Sequence, residues 1–208
     1  MKSNPSPFNL QRLMRTLHTY SAMWVLLLLL FFSVTGITLN HPDWQSRWGS
    51  YQRVELVALP ASLQLAKWPE PPLEQALYTG DLRRWLQQDF QLKATDWHYQ
   101  YDEADELLEL EFKRPAGYAM VLVDFAAGEV EIEQSFAGYL ALANDLHKGR
   151  DSGVMWSWLI DVTAISCLLF SLTGFYLLLK NKTQKSLGNS LALLGGIGAL
   201  LIYMASLH

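Results

Sequence analysis

Three histidines lie at the ends of long apolar stretches, where a neutral imidazole can ligate a redox metal or a haem iron. His18 and His41 bracket the first stretch, and His147 precedes the second. His41 and His147 are the best candidate pair, because both are expected at the same membrane face and two imidazoles fill both axial positions of a b-type haem. Spacing alone favours the simpler interpretation, which is interfacial histidines that bond headgroups or loop backbone.

His18 must belong to a different site. It precedes His41 by 23 residues, which is ~34 Å along an α-helix, so one haem cannot bridge them. A haem at His18 would need its second imidazole from another copy or another protein, because no other histidine is expected at that face. An interfacial role for His18 remains open. His208, the last residue, is an alternative outer ligand, although chain ends fray.

A short motif occurs in both apolar stretches. It reads Phe-Ser-x-Thr-Gly at residues 32–36 and again at residues 170–174. The glycine permits close approach of a macrocycle or of another helix, and the threonine hydroxyl can bond to its own helix. Helix packing and a cofactor site both explain such a repeat.

The positions of the two glycines match those of the histidines. Because the two apolar stretches run in opposite directions, Gly36 is expected level with His41 and His147. Gly174 is expected level with His18 for the same reason. An electron path with two sites requires this matching, and simple packing of helices also produces it.

Charged residues near the candidate sites have two interpretations each. Arg150 and Lys148 flank His147 and can pair with haem propionates, for which arginine offers a bidentate fork. They can equally contact anionic lipid or stabilise the end of their own helix. Asp161 is the acid within an apolar stretch, and it either orients a ligand histidine or pairs with Ser157.

Three uncharged or nearly uncharged blocks are long enough to cross a bilayer core of ~30 Å, which takes about 20 helical residues. The sequence therefore predicts three transmembrane helices, at Tyr20–Leu39, Val154–Leu179 and Leu187–Leu207. The first belongs to a helix over about 10–40. We interpret it as an uncleaved anchor, because its apolar run is longer than that of a signal peptide.

The distribution of charge predicts the orientation. Residues 1–19 and 180–186 carry three basic residues each and no acid, whereas residues 41–152 carry 10 Lys and Arg against 19 Asp and Glu, a net charge of −9. The positive-inside rule then places the two basic segments in the cytoplasm and the acidic segment outside. Such an acidic segment also argues against binding of nucleic acid.

Several kinds of chemistry are excluded by the residues present. Cys167 is the only cysteine, so an intrachain disulfide, a cysteine zinc site and covalent C-x-x-C-H haem attachment are impossible. Any haem must therefore be held non-covalently. The motifs of zinc proteases, serine hydrolases and P-loop enzymes are not found.

The acidic segment predicts a small α+β unit between the first two membrane helices. Apolar spacing indicates a helix over Leu73–Phe90, Ala127-Gly128 reads as a hairpin turn, and Ser135–Lys148 reads as an amphipathic return to the membrane. Residues 42–72 are mixed and give no clear element. Alternation predicts an antiparallel meander of four strands, at Asp96–Tyr101, Leu107–Lys113, Tyr118–Asp124 and Glu129–Glu133.

These motifs resemble the PepSY-associated transmembrane proteins. The resemblance covers about residues 10–180 and rests on one hairpin and on the helix motifs: Val121 to Val130, Leu17-His18, Thr35-Gly36, Leu39-Asn40-His41, Asn144 to Arg150 and Thr173-Gly174. It implies a membrane α-helical protein with a small extracytoplasmic PepSY-like domain inserted between helices 1 and 2. The expected parts are 1–41 with helix 1, 42–135 with the PepSY-like domain, 136–180 with the re-entry segment and helix 2, and 181–208 with helix 3.

The resemblance also implies a function in the bacterial inner membrane. Relatives are linked to iron uptake, to reduction of ferric siderophores, to membrane haem and to flavin-bearing extracytoplasmic electron carriers. One or two b haems are then expected, with cofactor-binding residues His18, His41, His147, Arg150, Gly36 and Gly174. Many relatives have four helices or a fused reductase domain, so electron transfer here would need a partner protein, a second copy of the chain or a quinone.

Two alternatives without a cofactor remain open. The chain is then a membrane-anchored PepSY module that binds or regulates a periplasmic partner, or an accessory subunit of iron uptake. If the protein binds haem and transfers electrons, it is a ferric-reductase-like component of an oxidoreductase. In the two alternatives it has no redox activity.

Overall fold

The computed structural model describes residues 9–44, 46–65 and 67–207. Across these residues the chain forms five α-helices and five β-strands. The helices are α1 (Leu10–Asn40), α2 (Pro72–Asp89), α3 (Tyr139–Lys148), α4 (Gly153–Lys180) and α5 (Lys185–Ser206). The strands are β1 (Tyr51–Ala58), β2 (Asp96–Asp102), β3 (Leu107–Arg114), β4 (Gly117–Asp124) and β5 (Glu129–Phe136).

Helices α1, α4 and α5 are long and apolar enough to cross a membrane, at 31, 28 and 22 residues. All three exceed the ~20 residues that a bilayer core requires. The prediction of three such helices is confirmed, and α1 has the predicted bounds. Most of their large apolar side chains are exposed within the chain, as expected where lipid replaces water.

The strands form one antiparallel sheet in the order β1-β5-β4-β3-β2. The four predicted strands and the β4–β5 turn are confirmed, and Gly128 in that turn has the left-handed φ of 69° that glycine adopts without strain. Residues 42–72 contain β1, a strand that the sequence analysis does not predict, and it pairs with β5 along its whole length.

β1 is hard to recognise from the sequence because its apolar residues lie mainly on the open side of the sheet. Val57 is on the core side of the sheet, and Arg53 and Glu55 share that side because strand side chains alternate. Val54 and Leu56 therefore lie on the open side and are 60% and 63% exposed. Arg53 and Glu55 are exposed as well, so the alternation of β1 does not mark a buried side as it does in the other strands.

The core of the α+β part lies between α2 and one side of the sheet. Leu82 and Leu86 of α2 are fully buried among the inward side chains of β3, β4 and β5. Those strand residues alternate along the chain as predicted: Leu108, Leu110, Phe112, Val121, Val123, Val130 and Ile132. The hydrophobic effect thus fixes α2 on the sheet.

The connection from the sheet to α4 differs in detail from the prediction. Ser135 belongs to β5, which continues to Phe136, so the amphipathic return begins only with α3. Gly149 ends α3 in a left-handed conformation with φ 69°. The indole Nε1 of Trp156 donates to the Leu146 carbonyl at 2.8 Å, which satisfies an acceptor at the end of α3.

The chain divides into two compact units. One contains the described residues up to Leu30 together with those from Asp161 onward, and the other contains Phe31–Ile160. Helices α1 and α4 each contribute to both units. The division into parts at 41, 135 and 180 stays a prediction.

We expect Leu82→Ala to lower the free energy of unfolding by about 2–5 kcal/mol, because it leaves a cavity in a close-packed core. Leu77→Ala is the matched control on the same helix, since Leu77 is 62% exposed, and its effect should stay within about 0.5 kcal/mol. Urea unfolding of the full chain in detergent, followed by near-ultraviolet circular dichroism, measures both. Equal losses from the two variants would contradict this packing.

Candidate functional site

The His18 site consists of His18 on α1 and the second copy of the repeated motif on α4. The Nδ1 atom of His18 lies 3.0 Å from the carbonyl oxygen of Phe170 and 3.3 Å from the hydroxyl of Thr173. The imidazole also stacks on the Phe170 ring, with centroids 4.5 Å apart. Backbone, hydroxyl and aromatic ring together fix the position of the imidazole.

The His147 site has the same composition, with His147 on α3 and the first copy of the motif on α1. The Nδ1 atom of His147 lies 2.6 Å from the hydroxyl of Thr35. The Phe32 ring meets the imidazole edge to face at 5.1 Å between centroids. Each copy of Phe-Ser-x-Thr-Gly thus receives one histidine through its phenylalanine and threonine.

The contacts of the two Nδ1 atoms suggest an assignment of the ring protons. A carbonyl can only accept, so in its contact with Phe170 Nδ1 of His18 donates. We infer that the Thr35 hydroxyl donates to the Phe31 carbonyl, 2.7 Å away, and accepts from Nδ1 of His147. On that assignment Nδ1 carries the proton in both sites, and Nε2 is left for another partner.

The motif glycines lie against the same imidazoles. A Cβ atom added at Gly174 would lie 2.9 Å from Cε1 of His18, and one added at Gly36 would lie 3.6 Å from Cε1 of His147. The expected matching of Gly174 with His18 and of Gly36 with His147 is therefore confirmed. The first distance excludes a side chain unless the ring moves, and the second is an ordinary contact.

His41 has different neighbours from His147. It precedes a short 3-10 turn, Pro42–Trp44, and its ring stacks on Trp44 with centroids 4.3 Å apart. It also lines a cavity of about 760 Å³ together with Arg47 and Lys148. The pairing of His41 with His147 as two axial ligands stays a prediction.

Polar residues at α3 form hydrogen bonds with neighbouring elements. Asn144 accepts a hydrogen bond from the Thr38 hydroxyl at 2.7 Å, one turn from the His147 site. Asp145 accepts from the backbone N–H of Ala116 at 2.9 Å, and Arg150 approaches Asp145 at 4.0 Å. Arg150 therefore has a carboxylate partner within the chain. Its predicted role at haem propionates stays a prediction.

Two further predicted residues are His208 and Asp161. His208 lies outside the described residues. Asp161 is exposed on α4, and its predicted role stays a prediction. Among residues 9–44, 46–65 and 67–207 there is no group of three or more His, Cys, Asp and Glu that could hold a metal ion. A haem iron needs only one or two side chains, because the porphyrin supplies the other four ligands.

Comparison with known proteins identifies the family. The model of the family described as PepSY_TM-like matches residues 10–208, nearly the whole chain. The chain belongs to the PepSY_TM-like family. The resemblance found in the sequence is confirmed, and the three apolar helices agree with a membrane protein. No curated protein and no solved structure matches this PepSY_TM-like chain significantly.

Sequence reasoning missed the aromatic half of each site in this PepSY_TM-like protein. It noted the threonine and glycine of the repeat but gave no role to Phe32 or Phe170. The repeated pentapeptide was the available signal, because the phenylalanine recurs with the same spacing to the threonine. Three residues apart on a helix, the two side chains share a face and can meet one imidazole.

We expect Gly174→Ala to displace the His18 ring, because the new methyl group would lie 2.9 Å from Cε1. Gly36→Ala is the matched control, since its methyl group makes an ordinary contact and alanine favours a helix by up to about 1 kcal/mol. Thermal unfolding and the ¹⁵N spectrum of histidine-labelled protein measure the effects. Only Gly174→Ala should lower stability and shift the His18 signals; a silent Gly174→Ala would contradict the contact.

We expect Thr35→Val to remove the preference of His147 for the Nδ1–H tautomer, because valine cannot accept a hydrogen bond. The ¹⁵N shifts of the two ring nitrogens report the tautomer directly. Thr38→Val is the control, because it removes a neighbouring bond to α3 and leaves the His147 partner in place. The assignment fails if both variants leave the His147 shifts unchanged.

Proposed function

We propose that this protein binds haem b non-covalently and transfers electrons in the bacterial inner membrane. The observation that supports this best is that Nδ1 of His18 and Nδ1 of His147 each lie within hydrogen-bond distance of an oxygen of the repeated motif. A histidine that ligates a metal through Nε2 typically donates Nδ1–H to a carbonyl or another acceptor, which fixes the ring and raises its basicity. The contacts of both imidazoles agree with such an arrangement.

Nε2 of His18 would hold one haem and Nε2 of His147 the other. Each motif glycine lets its imidazole approach the helix closely. The cavity that holds His41, Arg47 and Lys148 offers an imidazole and two cations, and propionate carboxylates pair with such cations. When bound, haem b supplies a one-electron iron couple; the chain binds, orients and shields it.

The charge pattern supports an orientation for this function. With the basic segments 1–19 and 180–186 in the cytoplasm, the His18 site is on the cytoplasmic side and the His147 site is on the periplasmic side. The α+β part, which we interpret as PepSY-like, is then periplasmic. The electron acceptor would be a ferric siderophore or an extracytoplasmic redox protein, and the chain would be a ferric-reductase-like component.

The His18 site would be completed by a second chain. His18 is the histidine expected at the cytoplasmic face, so a second imidazole for a haem there would have to come from another copy or from a partner. We therefore propose a homo-oligomer or a complex with a redox partner protein.

A second candidate is a cofactor-free module in which the helices anchor a PepSY-like domain that binds or regulates a periplasmic partner, or an accessory subunit of iron uptake. The same contacts favour it in one respect. Each imidazole already has a hydrogen bond and an aromatic neighbour, which is sufficient for a structural role in helix packing. Haem absorption distinguishes the two candidates.

We expect the purified full chain, expressed with adequate haem supply, to show sharp α and β bands in a dithionite-reduced minus oxidised spectrum. His18→Ala and His147→Ala should each remove one site, because each deletes an axial nitrogen. His98→Ala is the control, since His98 is exposed on β2 beside Asp96. A pyridine haemochrome assay gives the stoichiometry. A featureless spectrum of the folded protein would rule out haem binding.

A further inference from the structure

A groove of about 780 Å³ lies beside β2, at one edge of the sheet. Aromatic and acidic side chains line it together. The residues that define it, the aromatic groove below, are Trp68, Pro69, Tyr99, Tyr101, Glu103 and Glu106, and the last two are called its rim. The ion pair Lys67–Glu70 also lines it. None of them belongs to the histidine sites, so this groove is a separate feature of the protein.

Contacts with neighbouring side chains hold the aromatic rings of the groove in place. Trp68 stacks on Tyr101 with centroids 4.6 Å apart and meets Tyr78 edge to face at 5.8 Å. Tyr78 donates its hydroxyl hydrogen to the Leu63 carbonyl at 2.8 Å, and burial raises the pKa of Tyr78. Tyr99 remains 38% exposed beside these rings. A ligand would therefore meet rings that need little reordering.

The rim of the groove carries negative charge that the chain does not neutralise. Glu103 and Glu106 belong to the turn Asp-Glu-Ala-Asp-Glu at residues 102–106, and in the described part of the chain neither forms an ion pair. The nearby Lys67 is paired with Glu70 at 2.8 Å. Burial and then the charges of Glu106 and Glu103 raise the pKa of Tyr101. The groove thus combines aromatic faces with free carboxylates, which together attract cations.

The strand beside the groove has an open edge. Within the described residues β2 is the last strand of the sheet, and its one pairing partner there is β3. Its outward N–H and C=O groups can hydrogen-bond an added strand, and β-augmentation by an extended peptide uses such edges. Tyr99 and Tyr101 are two residues apart and therefore lie on the same face of the sheet. A peptide beside β2 would pass both rings and reach the acidic turn.

We propose that the aromatic groove docks an extended basic segment of a partner protein alongside β2. Main-chain hydrogen bonds to the β2 edge would supply affinity. A Lys or Arg side chain would contact the Trp68 and Tyr99 rings, and the next basic residues would meet Glu103 and Glu106. Complementary charge would also speed the encounter and make it sensitive to salt. This inference does not depend on haem.

The test is fluorescence anisotropy with the full chain in nanodiscs of zwitterionic lipid. The probe is a fluorescein-labelled decapeptide of alternating Lys and Val, and the comparison peptide has Glu in place of Lys. We expect saturable binding of the Lys peptide that weakens with salt, and none of the Glu peptide. Glu103→Gln with Glu106→Gln should weaken binding by about tenfold, the typical scale of lost charge pairs.

The matched control is Glu129→Gln with Glu131→Gln, which removes the same charge from exposed positions of β5 on the open side of the sheet. Equal weakening by both double variants would overturn the proposal, because attraction would then be to the whole acidic surface. A peptide methylated at alternate backbone nitrogens tests the edge pairing. Unchanged binding of the methylated peptide would contradict docking of a strand. Competition by free arginine as strong as that by the unlabelled Lys peptide would contradict it too, because the groove would then bind only single cations.

Discussion

A hydroxyl group has one hydrogen, and lipid offers no water to replace a missing partner. Thr35 and Thr173 both give that hydrogen to their own helix, at 2.7 Å to Phe31 and 2.6 Å to Leu169. Their oxygens can then only accept, and an imidazole nitrogen lies within reach of each. The orientation of His147 depends on this constraint, whereas that of His18 depends mainly on the Phe170 carbonyl.

The repeated motif works as a unit on two different helices. Phenylalanine supplies a ring for the imidazole, and threonine contacts a ring nitrogen. The glycine lies against the imidazole, and at Gly174 an added side chain would block the approach. The copy on α4 is the tighter one, because His18 stacks on Phe170 and also bonds its carbonyl. The same five residue types therefore give two sites of the same chemistry but unequal tolerance to substitution.

Much of this could be predicted from the sequence, and the exceptions have physical reasons. Apolar length revealed the three membrane helices, and alternation revealed four strands, because burial imposes those periods on the chain. β1 was not predicted because its apolar residues lie on the open side and almost the whole strand is exposed, so its alternation does not report burial. The meeting of each glycine with a histidine followed from opposite chain directions. The contacts of His41 with Trp44 did not, because they depend on a local turn.

Each of these histidines contacts the repeated motif through Nδ1 and through its ring, and neither contact uses Nε2. One side chain thus has a part that packs and a part that is left for another partner. Replacing either histidine would remove both parts at once, whereas replacing its threonine would change only the hydrogen bond that orients the ring.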